Sequence, residues 1–191
     1  MKCLNKVTMI GAKILEILHW FTMAIMLVIA AGCLFMRERL ADFLTAGVVS
    51  QGTELTSYGF EITAVQADGT LDMTAVLFFA VTAVICLSLM AMVYRNVYLI
   101  VRTAAGKTSF AGEATPFQKD TIRMVREIGI FLISQSAVCL VMSIIARLFI
   151  GVEVAELSVN LDSLLMGVVA LSLSQIFAYG TQLQEDVDGL L

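Results

Sequence analysis

Apolar residues along the chain gather into four long runs separated by polar segments. The first covers about 14–36, from Ile14 to Met36, and carries no charge after Glu16. The second covers 73–94, from Met73 to Tyr94, and holds no charged residue. A third occupies 128–146, bounded by Glu127 and Arg147. The fourth occupies 163–181 between Asp162 and Glu185, with an apolar centre from Leu164 to Tyr179. At about 1.5 Å per residue, roughly 20 apolar residues cross the hydrocarbon core of a bilayer. Surface helices of soluble proteins keep a polar face at a period of about 3.6 residues, and these runs have none. The predicted fold class is all-α: a polytopic membrane protein with four transmembrane helices in one bundle, forming a single membrane domain over 1–191. An outer segment (37–72), an inner segment (95–127) and a tail (182–191) complete the layout.

Composition agrees with that pattern. Of 191 residues, 59% are hydrophobic and 15% charged, with one proline. Soluble domains carry about a quarter charged residues. No tract of low complexity or 20–50-residue repeat interrupts the chain, which argues against solenoids and arrays. The net charge of −4 matters less than its distribution. With the N-terminus inside, nine cationic residues lie on the inner side (Lys2, Lys6, Lys13, Arg95, Arg102, Lys107, Lys119, Arg123 and Arg126). Three lie outside: Arg37, Arg39 and Arg147. Lys and Arg accumulate in cytoplasmic loops, so both termini are expected in the cytoplasm of a bacterium, with the chain in the cytoplasmic (inner) membrane. Tyr94, Tyr98 and Tyr179 fall near the inner boundary, where amphipathic rings favour the headgroup level. Lys2, Lys6, Lys13 and Ala30-Ala31-Gly32-Cys33 resemble a lipoprotein signal. The apolar run passes beyond Cys33 to Met36, however, and Glu16 and His19 interrupt its early part, so an uncleaved first span is expected.

Polar segments add local features. Arg37 to Ala46 predicts a short helix along the membrane surface. Leu55 to Val65, then Ala67-Asp68-Gly69, then Thr70 to Met73, predicts a small extended or hairpin element. Such a hairpin is marginal alone, so it must lean on helix ends or on a partner. It could serve as an extracytoplasmic binding surface or as a plain connector. On the inner side, Thr115-Pro116-Phe117-Gln118 has capping-box spacing and predicts a helix start. Beyond it Lys119, Arg123 and Arg126 share one helix face, with Asp120 and Glu127 placed to pair with Arg123. This face suits an anchor on anionic headgroups or a docking surface for a cytoplasmic partner. The tail places Glu185, Asp186 and Asp188 after the fourth span, where negative charge opposes the helix dipole. Either the tail frays in solvent or it folds back onto the basic face.

Candidate chemistry is sparse. The sole histidine, His19, excludes paired-histidine metal sites, although with Glu16 one turn away it could form a proton-sensitive pair. Cys3, Cys33, Cys86 and Cys139 have no metal spacing, and three of them fall inside apolar runs. Gly106-Lys107-Thr108 imitates a P-loop ending without its first glycine or strand. No catalytic residue, cofactor or metal ligand is therefore assigned, and no direct nucleic-acid binding is expected. Small residues make two stripes: Ser136, Cys139, Ser143 and Ala146 on the third span, and Ser163, Gly167, Ala170, Ser174 and Ala178 on the fourth. The stripes are expected to face each other. Gln135 and Gln175 are expected to be buried amides needing partners, as interhelical bonds or as a polar path. Arg147 and Asp162 are expected to pair across the outer loop.

The chain resembles domain-of-unknown-function family 2975, the YoaS-like bacterial membrane proteins. The resemblance rests on Thr115-Pro116-Phe117 with the basic helix and Arg126-Glu127-Ile128-Gly129, and on Leu173 to Gly180 leading into Leu183 to Leu190. With the four-span layout it covers most of the chain, the outer segment least. It implies a four-helix membrane protein without assigned activity, in a genetic neighbourhood that includes a small helix-turn-helix DNA-binding protein. The expected function is thus a non-enzymatic sensor or regulator, with the lipid bilayer and such a regulator as partners. A transporter or channel subunit built as a homo-oligomer, and an immunity protein against a membrane-active toxin, are the competing classes.

Overall fold

The computed structural model describes residues 2–48, 54–66, 69–105, 119–157 and 159–188. Among the described residues the fold is all-α apart from one two-stranded hairpin: α1 (Lys2–Phe35), α2 (Arg37–Val48), β1 (Glu54–Ser57), β2 (Phe60–Thr63), α3 (Met73–Ala104), α4 (Lys119–Phe149) and α5 (Leu161–Asp188). Among the described residues four helices are long and apolar enough to cross a membrane: Asn5–Phe35, Met73–Ala104, Lys119–Phe149 and Leu161–Gln184. The shortest has 24 residues, about 36 Å of helix. These are the helices of a multi-pass membrane protein. Only 6% of the α1 apolar window is buried, against 44% of the α3 window, so α1 presents its side chains to the surroundings and α3 is the most buried of the four.

Local chemistry sets the helix ends. Asp72 caps α3, its Oδ1 accepting from the backbone N–H of Thr74 (2.8 Å) and Ala75 (3.4 Å). That satisfies N–H groups which a helix start leaves without internal partners. Arg102 in the last turn of α3 complements the helix dipole. Helices α3 and α4 extend past their apolar runs at the ends that face the 95–127 segment, with α4 starting at Lys119 and α3 ending at Ala104. The predicted capping box, Thr115 to Gln118, lies outside the described residues. At the other end α5 stays helical to Asp188, so the expected tail continues the last helix through that residue.

Two compact units divide the chain. One contains Met1–His19, Leu89–Ile133 and Asp162–Leu191; the other contains Trp20–Ser88 and Ser134–Leu161. We call them the terminal unit and the hairpin unit.

In the hairpin unit β1 and β2 pair antiparallel, with Leu55 opposite Ile62 and Ser57 opposite Phe60. The chain reverses at Tyr58 (φ 53°) and Gly59 (φ 85°). Two successive positive φ angles suit a two-residue hairpin turn that matches strand twist. The predicted stretch from Leu55 to Val65 is therefore two strands rather than one. A second, smaller reversal lies between Gln66, whose N–H donates to the Thr70 carbonyl (2.9 Å), and Leu71, which bridges Val65; Asp68 of the expected Asp-Gly turn lies outside the described residues. On the far side of β2 the segment after α4 adds a partial strand. Ile62 bridges Ala155, and the Thr63 N–H donates to the Val154 carbonyl at 2.7 Å.

Phe60, Ile62 and Ala64 alternate along one face of β2 and its continuation, and all three are buried. Phe60 and Ile62 pack in a cluster with Ala75, Cys86, Cys139, Ala146 and Ala155. Ala64 packs with Cys33, Met73 and Val76, flanked by Ile29 and Leu40. An isolated hairpin has too little apolar surface to hold its shape. Here four helices (α1, α2, α3 and α4) and the return segment supply it.

Candidate functional site

The hairpin tip holds the one non-glycine residue at positive φ among the described residues. A bulky residue at positive φ costs about 1 kcal/mol or more, and Tyr58 is such a residue. Its conformation is held by its own carbonyl, which accepts from Asn160 Nδ2 (2.8 Å) and from Cys139 Sγ (3.3 Å). Gly59 sits so close to Asn160 that an added Cβ would lie 3.0 Å from the Asn160 Cβ. Ser136 Oγ in turn donates to the Asn160 carbonyl at 3.0 Å. Cys139 lies just over two turns along α4 from Arg147, about 12 Å at the usual helical rise. The tip is thus seated well below the end of α4, against its middle. Non-helical backbone at such depth is tolerated only when enclosed by protein or lining an aqueous cavity.

The row of small residues on α4 explains why the tip fits. Ser136, Cys139, Ser143 and Ala146 are all buried. Their partners are the hairpin, Asn160 and α3, where Cys86 Sγ lies 3.7 Å from Cys139 Sγ. This corrects the expectation that the α4 stripe faces the α5 stripe. On α5 Gly167 and Ser174 are indeed buried, but Gly167 meets Gly129 and Ile133 of α4. A Cβ on Gly129 would lie 2.8 Å from the Gly167 carbonyl oxygen, and one on Gly167 2.7 Å from the Ile133 side chain. Two glycines therefore set a close α4–α5 crossing, in which small residues let backbones approach.

Four sequence-selected polar positions separate in the structure. Gln135 is 1% exposed, and neither amide atom has a hydrogen-bond partner. Ser143 Oγ, two turns further along the same helix, is likewise buried and unpartnered. Gln175 is exposed, because the residue that α5 turns inward at this level is its neighbour Ser174. The pair of buried amides is corrected to a single one. Arg147 does not form the expected clamp: its Nη2 donates to the Val152 carbonyl at 3.5 Å, and its buried Nε has no partner. Asp162 instead lies exposed in the first turn of α5, where its charge complements the helix dipole.

The terminal unit gathers most of the remaining charge. Glu16 is buried and accepts from Lys13 Nζ at 2.9 Å. Lys13 Nζ also lies 5.2 Å from the centre of the Tyr98 ring, and Arg102 reaches the Tyr98 hydroxyl at 3.4 Å. His19 Nδ1 pairs with the Leu15 carbonyl at 2.8 Å, with its ring 4.9 Å from that of Tyr94. Glu16 thus takes Lys13 as its ion partner, and His19 sits against backbone and an aromatic ring. Asn96, buried on α3, donates to Glu127 Oε2 (3.0 Å), and Arg123 Nε donates to Glu127 Oε1 (3.0 Å). The predicted Arg123–Glu127 pair is present, with an α3 amide added that spacing along α4 could not reveal.

Lys119, Arg123 and Arg126 share one wall of a groove of about 300 Å³, as their spacing predicts. Ile122 and, from α5, Ala178, Thr181 and Gln182 complete its lining. Asp186 is exposed one turn beyond Gln182, while the Glu185 and Asp188 side chains lie outside the described residues. Among the described residues no cluster of three His, Cys, Asp or Glu side chains could hold a metal ion. No family model matches the chain, and no curated protein or solved structure is significantly similar to it.

Proposed function

We propose that this chain is a non-enzymatic membrane regulator whose outer hairpin receives a signal and whose inner basic face and acidic helix end pass it to a cytoplasmic partner. The observation that carries this reading is the seat of Tyr58 and Gly59 against Cys139 and Asn160. A ligand or partner that draws the hairpin out breaks two hydrogen bonds and uncovers Phe60 and Ile62, so α4 loses its partners at mid-length. The same continuous helix carries Lys119, Arg123 and Arg126 at its start, which gives a change at Cys139 a covalent route to the inner face.

The orientation follows the cationic bias: termini in the cytoplasm, hairpin outside, in the inner membrane of a bacterium. The partner class follows the resemblance to the YoaS-like proteins and is a small helix-turn-helix regulator. Co-purification of that regulator with the intact chain tests the proposal. Retention by the wild type, with loss on removing residues 185–191 and altered retention in Asn160→Ala, is expected. Equal retention by all three would refute it.

A second reading, a transporter or channel subunit, is favoured by one observation: the buried, unpartnered Gln135 amide in line with Ser143. Solute or ion flux in liposomes that vanishes in Gln135→Leu would decide for it.

A further inference from the structure

We infer that the groove between the start of α4 and the end of α5 is a binding site for the headgroup phosphate of one anionic phospholipid. Its cationic wall is built by spacing: residues 119, 123 and 126 fall on one helix face. Arg126 is exposed and has no ion-pair or hydrogen-bond partner among the described residues, whereas Arg123 already shares Glu127. A guanidinium held at a groove without a carboxylate is suited to a phosphate, which it can grip with two parallel hydrogen bonds.

The rest of the groove selects a lipid over other anions. Its floor is Ile122, 8% exposed, with Ala178 opposite, so the space below the cations is apolar. The apolar run of α4 begins at Ile128, just past Arg126, which places the cations where hydrocarbon gives way to headgroups. On α4, Ile130 is exposed one turn past Arg126 on the same helix face and offers a surface for an acyl chain. A volume of about 300 Å³ is at the small end of ligand pockets and admits a headgroup, not a folded acidic domain. Basic pockets between membrane helices on the cytoplasmic side are a recurrent lipid-headgroup site. Asp186, one turn beyond Gln182, sets an upper limit on the negative charge the groove accepts.

Native mass spectrometry of the delipidated full-length protein in detergent tests this. Phosphatidylglycerol, phosphatidylcholine and sodium phosphate are added separately and then in competition. A discrete phosphatidylglycerol adduct, well above phosphatidylcholine and not displaced by equimolar sodium phosphate, is expected. One cation near a headgroup contributes about 1 kcal/mol, so Arg126→Gln should weaken the adduct about fivefold. Arg126→Lys should keep most of it, Asp186→Asn should strengthen it, and Arg39→Gln, in the hairpin unit, should leave it unchanged. Equal adducts with both lipids, displacement by sodium phosphate, or an unchanged adduct in Arg126→Gln would each overturn the assignment.

Discussion

Tyr58, Asn160 and Gln135 show how single side chains set the fold. Tyr58 occupies a backbone region that favours glycine because Asn160 and Cys139 bind its carbonyl. Asn160→Ala removes the amide donor to that carbonyl, which should destabilise the protein by about 1 kcal/mol. A melting curve in detergent checks this, and an unchanged midpoint would remove Asn160 from the account. Gln135 is the opposite case. A buried amide without a partner costs about 1–3 kcal/mol by protein mutational data, so Gln135→Leu should raise the melting temperature. A lowered temperature would mean that the amide has a structural partner. Gly129 and Gly167 define the third position. Valine at either one puts atoms inside a backbone or side-chain contact, and Gly167→Val should destabilise by about 1–3 kcal/mol while Gly11→Val, where the space is open, should not.

The helices themselves were legible from apolar length, because a lipid-facing helix must be apolar on every side and the chain shows four such stretches. The helix after Arg37 and the basic face of α4 were legible for the same reason: their signal is local. The hairpin was half legible. Gly59 and Gly69 both mark reversals, but which one joins the strands depends on Asn160, 102 residues away, and on Cys139. Likewise a stripe of small residues reveals that something packs closely, and not what. The α4 stripe could have met α5 or the hairpin equally well by composition. Gln175 and Ser174 are adjacent, and which one turns inward is fixed by the Gly129–Gly167 crossing, a long-range contact. Replacing Phe60, which is fully buried, by alanine should cost about 3 kcal/mol and loosen the hairpin. Limited proteolysis from the outer side should then cut between 54 and 63 in the variant and spare the wild type.

For the molecule as a whole, the account stands on the direction in which the four apolar helices cross the bilayer. Asp42 on α2 and Asp186 near the end of α5 are both exposed, and they are expected on opposite sides of the membrane. Single cysteines placed at these two positions, in a Cys3→Ser background that keeps the buried Cys33, Cys86 and Cys139, can be challenged in intact cells with a membrane-impermeant maleimide. Labelling of Asp42→Cys in intact cells, with Asp186→Cys labelled only after permeabilisation, is the predicted result. Labelling of both in intact cells, or the reverse order, would contradict it.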